Sequence, residues 1–92
     1  MEGPEIDFAE AAFRHGYTRR DYFELHRNPK ALFRSRRGDP DVYEVLGRND
    51  AGDYVHAVFR SFRVGTRKGM VVFHMDAMTQ ADRKRYTRMI KT

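Results

Sequence analysis

Apolar residues near the N-terminus recur at the three- and four-residue spacing of a helix. The residues with this spacing are Ile6, Ala9, Ala12 and Phe13. Pro4 suits a first helical position, because its missing N–H would have no partner there, and Gly16 suits a position just past a helix end. The pattern predicts a short helix over roughly residues 5–15.

A second helix is predicted directly after the first. Thr18 is followed three residues later by Asp21, the spacing at which a hydroxyl and a carboxylate bond each other's backbone N–H groups at a helix start. The residues placed near its buried side are Tyr22, Phe23, Leu25 and His26. Asn28-Pro29 ends this helix, since a proline disfavours the helical conformation in the residue before it.

From residue 31 the period of the pattern changes to two, which predicts β-strands. The alternating segments are residues 31–36, 41–48, 54–64 and 70–77, separated by turns rich in Gly, Asn and Asp. Thr79 and Asp82 form another capping box and open a final helix to about Lys91. The predicted fold is α+β, one domain over residues 1–92 with two short N-terminal helices, a four-stranded antiparallel meander and a C-terminal helix.

The alternation also assigns side chains to the faces of the sheet. On the fourth strand the apolar set of Val71, Phe73, Met75 and Ala77 is predicted to face the core, so that His74 and Asp76 point outward. On the third strand the predicted core set is Val55, Ala57 and Phe59. His56, Arg60, His74 and Asp76 then share one face, and a register error of one residue would reverse this conclusion.

Composition and charge narrow the classes of function. The 92 residues include no cysteine, which excludes a disulfide framework and a cysteine zinc site. No apolar run is long enough to span a membrane, and the acidic N-terminus lacks the features of a secretory signal. These observations predict a cytoplasmic protein without membrane association.

The net charge of +5 is concentrated in the C-terminal part of the chain. Residues 60–92 hold nine basic residues against two acidic ones, and most basic residues of the chain are arginine. Arginine favours bidentate binding of phosphate or carboxylate, so the pattern indicates a nucleic acid or an acidic protein as partner. The alternative is a small, soluble, basic protein whose charged side chains are only solvated.

The outward residues fit the requirements of RNA cleavage without a metal ion. This reaction needs a base for the ribose 2′-OH, cations for the charge at phosphorus and an acid for the leaving oxygen. Either His56 or His74 is predicted as base or acid, and Tyr86 as a positioning hydroxyl. The predicted phosphate clamp is Arg60 or Arg63 with Arg85, whose angle on the last helix places it on the apolar side within reach of Asp82. The alternative is that both histidines are ordinary, partly buried residues.

Further basic residues are predicted to bind the RNA backbone, and no cofactor is expected. The predicted RNA-binding residues are Arg34, Arg36, Arg63, Arg67, Lys68 and Arg83. His74 and Asp76 with His56 form a weak metal-ligand pattern, but the surroundings are basic and the spacing is common by chance. We therefore predict neither a metal ion nor another cofactor.

Four pieces of the chain carry a family resemblance. They are Arg14-His15-Gly16, Asn28-Pro29, the strand DVYEVLGR at residues 41–48, and the stretch FHMDAMTQADRKRY at residues 73–86. In this order and spacing they resemble the BrnT family, small basic ribonuclease toxins of type II toxin–antitoxin pairs whose fold is similar to that of RelE. The resemblance runs over most of the chain.

The resemblance implies a cytoplasmic bacterial endoribonuclease that halts translation. It also implies a DNA-binding antitoxin of the ribbon-helix-helix or helix-turn-helix type, in a complex that can be oligomeric. The chain departs from the family pattern at Val42 and Asp76, where the family has arginine, so two cations expected near the phosphate are missing.

Different readings of these departures stay open. In the first, another arginine has taken the phosphate-binding role; the candidates are Arg34, Arg36, Arg60, Arg63 and Arg67. In the second, the chain is a non-catalytic basic module that binds an acidic antitoxin or a nucleic acid. A third, weaker reading is a structural subunit without a nucleic-acid role.

Overall fold

The computed structural model of the chain describes residues 5–36 and 38–91. The elements, in chain order, are β1 (Glu5–Phe8), a 3-10 turn (Glu10–Phe13), α1 (Arg19–Arg27), β2 (Lys30–Arg34), β3 (Val42–Arg48), β4 (Tyr54–Val64), β5 (Arg67–Ala77) and α2 (Gln80–Ile90). The strands form one mixed sheet in the order β1-β5-β4-β3-β2. The predicted architecture of two N-terminal helices and four antiparallel strands is therefore wrong: the fold is α+β with a five-stranded mixed sheet, one mid-chain helix and one C-terminal helix.

The first predicted helix is replaced by a strand and a 3-10 turn. Residues Glu5 to Phe8 pair in parallel with Gly69 to Val72 at the edge of β5. Ile6 and Phe8 are half-buried against the core, whereas Glu5 and Asp7 are exposed. Burial therefore alternates with a period of two along this strand. The helical spacing around Ala12 is accommodated by the 3-10 turn, where Ala12 is fully buried. Pro4 lies outside the described residues.

The antiparallel part of the sheet carries one irregularity that changes which side chains face the core. Val58 lies opposite His74, but Phe59 lies opposite Val72, so Phe73 is an extra residue on β5. Val72 is fully buried while Val71 and Phe73 are only half-buried, and Ala77 is exposed. The predicted core positions Val71 and Phe73 are wrong because the bulge reverses the alternation at Phe73. Ala77 shares the face of Met75 as predicted but is exposed, because it is the last residue of β5.

The two helices pack on opposite faces of the sheet. Tyr22 and Leu25 of α1 are fully buried in a cluster with residues of one face, among them Val45, Ala57 and Met75. Tyr86 of α2 is buried against the other face, in a cluster that includes Ala31, Leu46 and Met78. On this face α2 packs on β2 and β3. The helix therefore leaves the part of the face formed by β4 and β5 uncovered.

Both predicted capping boxes are confirmed. The Thr18 side chain accepts from the Asp21 N–H while the Asp21 carboxylate accepts from the Thr18 N–H, and Thr79 and Asp82 repeat this arrangement at the start of α2. Because the Asp82 carboxylate is engaged at the helix start, it does not serve as the partner predicted for Arg85. Within the described part of the chain, no helix is long and apolar enough to cross a membrane.

We expect the stability of the fold to depend on the protonation of His26. Burial, and to a smaller extent the charge of Lys30, lowers the pKa of His26, and no described residue bonds its buried Nε2 atom. The unfolded chain therefore binds a proton more readily, so the free energy of unfolding should fall as pH decreases below about 6.5. In His26→Phe this dependence should be weaker, as measured by thermal unfolding between pH 5 and 8. An identical pH profile for both proteins would contradict the prediction.

Candidate functional site

An open pocket of about 480 Å3 lies on the face of the sheet that α2 leaves uncovered. Its lining residues come from β3, β4, β5 and the loop between β2 and β3: Ser35, Asp39, Val42, Glu44, His56, Val58, Arg60, Phe73 and His74. The register explains the grouping, since His56 lies opposite Asp76, Val58 opposite His74 and Val42 opposite Arg60. The prediction that His56, Arg60, His74 and Asp76 share one face is confirmed. His56 and Arg60 lie an even number of residues apart on β4, and Asp76 and His74 lie opposite His56 and Val58 of that same face.

A carboxylate orients one of the pocket histidines. The His56 Nε2 atom lies 2.8 Å from the Glu44 Oε1 atom, and both side chains are about one-fifth exposed. Glu44 lies on β3, where Leu46 is the residue paired with His56. Glu44 and Leu46 are two residues apart, so Glu44 projects from the same face as His56. A half-buried hydrogen bond of this kind holds the ring in one orientation and stabilises an imidazolium when it forms.

Three histidines form a row across the edge of the pocket. The ring centroids of His56 and His74 are 5.7 Å apart, and those of His74 and His15 are 5.8 Å apart. The His15 Nε2 atom is 3.8 Å from the Asp76 Oδ2 atom, with both side chains well exposed. We call His15, His74 and His56 the histidine row. A carboxylate lies beside each end of this row, Glu44 at His56 and Asp76 at His15.

Arg60 is the arginine among the described residues that line the pocket, and a carboxylate of the same chain contacts it. The Arg60 Nη1 atom lies 2.6 Å from the Asp39 Oδ2 atom, and Arg60 is half-exposed. The pKa of Asp39 is lowered, first by the hydrogen bond from the Asp41 N–H and then by the bond from Arg60. Asp39 therefore remains an anion, and its carboxylate already occupies one side of the Arg60 guanidinium group.

Two of the predicted catalytic residues lie outside this pocket. Tyr86 is 3% exposed, burial raises its pKa, and its hydroxyl donates to the Pro29 carbonyl oxygen at 3.0 Å. Arg85 lies with its guanidinium carbon 3.8 Å from the centre of the Phe33 ring. The structure thus gives Tyr86 a packing role and leaves Arg85 on α2 beside β2, whereas it brings His56, Arg60 and His74 together.

The predicted RNA-binding residues are distributed over several surfaces. Arg34 lies over the Tyr43 ring, and Arg83 lies over the Tyr54 ring at 4.1 Å. Arg67 forms an ion pair with Glu5 at 2.6 Å. Arg36 is exposed just after β2. Arg63 and Lys68 line a smaller pocket that also includes Arg60, and they are the members of this set that lie near the candidate site.

The two departures from the family pattern both lie at the site. Val42 is 8% exposed and forms part of the pocket wall opposite Arg60. Asp76 lies beside His15 and opposite His56, where it adds a negative charge to one end of the histidine row. Cationic side chains at these positions would have enlarged the positive charge of the pocket, whereas among the described residues Arg60 is the arginine that lines it.

Sequence reasoning missed three residues of the site: Glu44, His15 and Asp39. Glu44 interrupts an apolar face between Val42 and Leu46, and pairing β3 with β4 across the short turn would have located it beside His56. His15 is brought to His74 by the segment that follows the 3-10 turn, so the false helix prediction concealed it. Asp39 lies in a turn, and no periodic signal indicated that it reaches Arg60.

Among residues 5–36 and 38–91, no three His, Asp or Glu side chains are arranged to hold a metal ion. Searches of protein-family models, curated proteins and solved structures find no match to this chain.

Proposed function

We propose that the chain is a metal-independent endoribonuclease whose active site is the open pocket. The observation that supports this most directly is the juxtaposition of Glu44, His56 and His74, with Arg60 on the same strand face. Two histidines with ring centres 5.7 Å apart can contact different oxygens of one phosphodiester. General acid–base catalysis of this kind contributes about 10²–10⁴-fold to a rate.

The proposed reaction is attack of the ribose 2′-oxygen on the adjacent phosphorus. With its Nε2–H donating to Glu44, His56 has a free lone pair on Nδ1 that accepts the 2′-OH proton. A bond forms between the 2′-oxygen and phosphorus, and the bond to the 5′-oxygen breaks. His74 donates a proton to that leaving oxygen. The products are a 2′,3′-cyclic phosphate and a 5′-hydroxyl, and Arg60 stabilises the extra charge on the phosphoryl oxygens.

The biological context proposed is a toxin of the BrnT kind. The resemblance supports this context, since two of the pieces that carry it, Arg14-His15-Gly16 and residues 73–86, supply His15 and His74 of the histidine row. On this proposal the protein acts in the bacterial cytoplasm and is neutralised in a complex with a DNA-binding antitoxin.

The proposal is tested by incubating the purified protein with RNA, with and without EDTA, and identifying the ends of the products. We expect cleavage that EDTA does not inhibit, with 2′,3′-cyclic phosphate and 5′-hydroxyl ends. Cleavage that requires a divalent cation, or ends of the opposite type, would exclude the proposed mechanism.

A second candidate is a binding module on the same scaffold without catalysis. The observation in its favour is that carboxylates already contact cationic groups of the pocket: Asp39 contacts Arg60 and Asp76 lies near His15. Such a module would retain RNA or an acidic partner in a salt-dependent manner and leave the RNA intact. Expression in a bacterial host discriminates the two, since only the nuclease should arrest growth in the absence of a partner.

Replacing Asp39 by asparagine should strengthen RNA binding a few-fold. The substitution removes the negative charge that contacts Arg60 and leaves the side-chain size almost unchanged. We would measure the affinity for a short single-stranded RNA at several salt concentrations. Asp50→Asn is a matched control, because Asp50 pairs with Arg27 and follows the other end of β3. A weaker affinity of Asp39→Asn than of wild type would contradict the prediction.

A further inference from the structure

The β4–β5 hairpin extends past the end of β3 on one side, and β1 runs beside β5 only as far as Gly69. Pairing between β3 and β4 begins at Val42 and Arg60, whereas β4 and β5 remain paired as far as Val64 and Arg67. Only the Ser61 N–H, which donates to the Asp41 carbonyl oxygen at 2.8 Å, links this extension to the end of β3 among the described backbone bonds. We call residues 61–68 the hairpin tip.

A second pocket of about 600 Å3 lies where the hairpin tip leaves the sheet. It is lined by Asp41, Arg60, Ser61, Phe62, Arg63 and Lys68. Arg60 lines both this second pocket and the open pocket described above. The two pockets are therefore adjacent, and a chain-like ligand bound at Arg60 in the first would extend into the second.

Phe62 presents an aromatic surface on the same strand face as the catalytic residues. His56, Arg60 and Phe62 differ by even numbers of residues along β4, so their side chains project from one face. The Phe62 ring lies directly over Gly69, where an added Cβ would come within 2.4 Å of the ring Cζ atom. Glycine thus allows the ring to lie flat on the neighbouring strand, which fixes its orientation while 37% of the residue stays exposed.

The cations of the tip are available for an anion. Arg63 and Lys68 lie opposite each other on β4 and β5, and both are exposed. No described carboxylate lies within ion-pair distance of either side chain. A flat aromatic ring beside unpaired cations is the combination with which proteins bind single-stranded nucleic acid, since bases stack on the ring and cations follow the phosphates.

We propose that Phe62, Arg63 and Lys68 of the hairpin tip form a subsite for the nucleotide that flanks the cleaved phosphate of a single-stranded RNA. The base of this nucleotide stacks on Phe62, and its phosphate contacts Arg63 and Lys68. This inference rests on the proposed function, because the phosphate bound at Arg60 determines where the neighbouring nucleotide of the RNA lies. It adds a preference for single strands, since a base that is paired inside a duplex cannot stack on the ring.

The test uses a fluorescent all-DNA oligonucleotide, which has no 2′-OH and is not cleaved by the proposed reaction. We expect Phe62→Ala to bind it about tenfold more weakly than wild type, and Phe62→Tyr to bind it normally. Gly69→Ala, which displaces the ring without removing it, should lose affinity as well. Arg63→Ala and Lys68→Ala should each reduce the slope of log affinity against log salt by about 0.7. Val64→Ala is the matched control, since Val64 is 67% exposed on the same strand face.

The outcomes separate this inference from the proposed function. Equal loss of affinity in Phe62→Ala and Val64→Ala, unchanged affinity in Phe62→Ala, or equal affinity for duplex and single strand would each overturn the subsite. If the wild type cleaves no RNA but Phe62→Ala alone weakens binding to the single strand, the subsite stands and the nuclease proposal fails. If the wild type cleaves RNA, Phe62→Ala should raise KM with little change in kcat, and an unchanged KM would count against the subsite.

Discussion

Replacing His74 by alanine is expected to slow RNA cleavage by about 10²–10⁴-fold, the usual contribution of a general acid or base. His74 lies at the centre of the histidine row, 5.7 Å from His56 and 5.8 Å from His15 between ring centroids. His56→Ala should cause a loss of the same order. The double variant should lose little more than either single variant, because the two groups act in one step.

The carboxylate that orients His56 should matter less than the histidine itself. Glu44→Gln keeps the size of the side chain and removes the charge that stabilises the imidazolium form of His56, so we expect a smaller fall in kcat with an unchanged KM. A lowered kcat with an unchanged KM, at an unchanged melting temperature, is a result that a purely structural role of Glu44 would not produce.

His26 provides the control for these histidine variants. It lies on α1, packed against Tyr22 on the opposite face of the sheet, with ring centroids 4.7 Å apart. His26→Gln should therefore retain cleavage once its thermal stability has been checked. If His26→Gln lost as much activity as His74→Ala at equal folded fraction, or if His74→Ala cleaved RNA at the wild-type rate, the assignment of the active site would be wrong.

Replacing Tyr86 by alanine is expected to cost about 3–5 kcal/mol of folding free energy, in the range found for large aromatic residues removed from a core. Tyr86 is 3% exposed, packs with Leu46 and Ala31, and holds α2 on the sheet. A domain of this size is stabilised by roughly 5–15 kcal/mol, so the variant should melt at least about 10 °C lower.

The companion variant Tyr86→Phe separates packing from chemistry. It removes only the hydroxyl that donates to the Pro29 carbonyl oxygen and should cost about 1 kcal/mol, with RNA cleavage retained. Thermal unfolding and a cleavage assay on the same samples check both expectations. A loss of cleavage in Tyr86→Phe without a loss of stability would restore Tyr86 as a catalytic residue.

The parts of the fold that could be predicted from sequence are those set by local patterns. The capping boxes at Thr18 and Thr79 depend on residues three positions apart, and the alternation of β4 identified Val55, Ala57 and Phe59 as core residues. Each of the four predicted strand segments overlaps an observed strand. These features need no knowledge of distant contacts.

The errors arose where a distant partner decides the structure. Residues 5–8 are a strand because the edge of β5 offers backbone partners, and a window that includes Ala9 and Ala12 gives the same apolar residues a helical spacing. The bulge at Phe73 depends on how β4 and β5 fit together, and nothing in the alternation of β5 alone reveals it. Of the candidate site, His56, Arg60 and His74 could be predicted, whereas Asp39 and His15 could not, because loops bring them to the pocket.

The extra residue at Phe73 has a consequence for the shape of the surface on which RNA would lie. A bulge sharpens the twist of the strand that carries it, and this one lies between the stretch of β5 that holds His74 and the stretch that leads to the hairpin tip. The two stretches are therefore turned relative to each other about the hairpin axis. A strand of RNA that follows both must change direction between consecutive nucleotides, which a flexible single strand does easily and a stiff double helix resists.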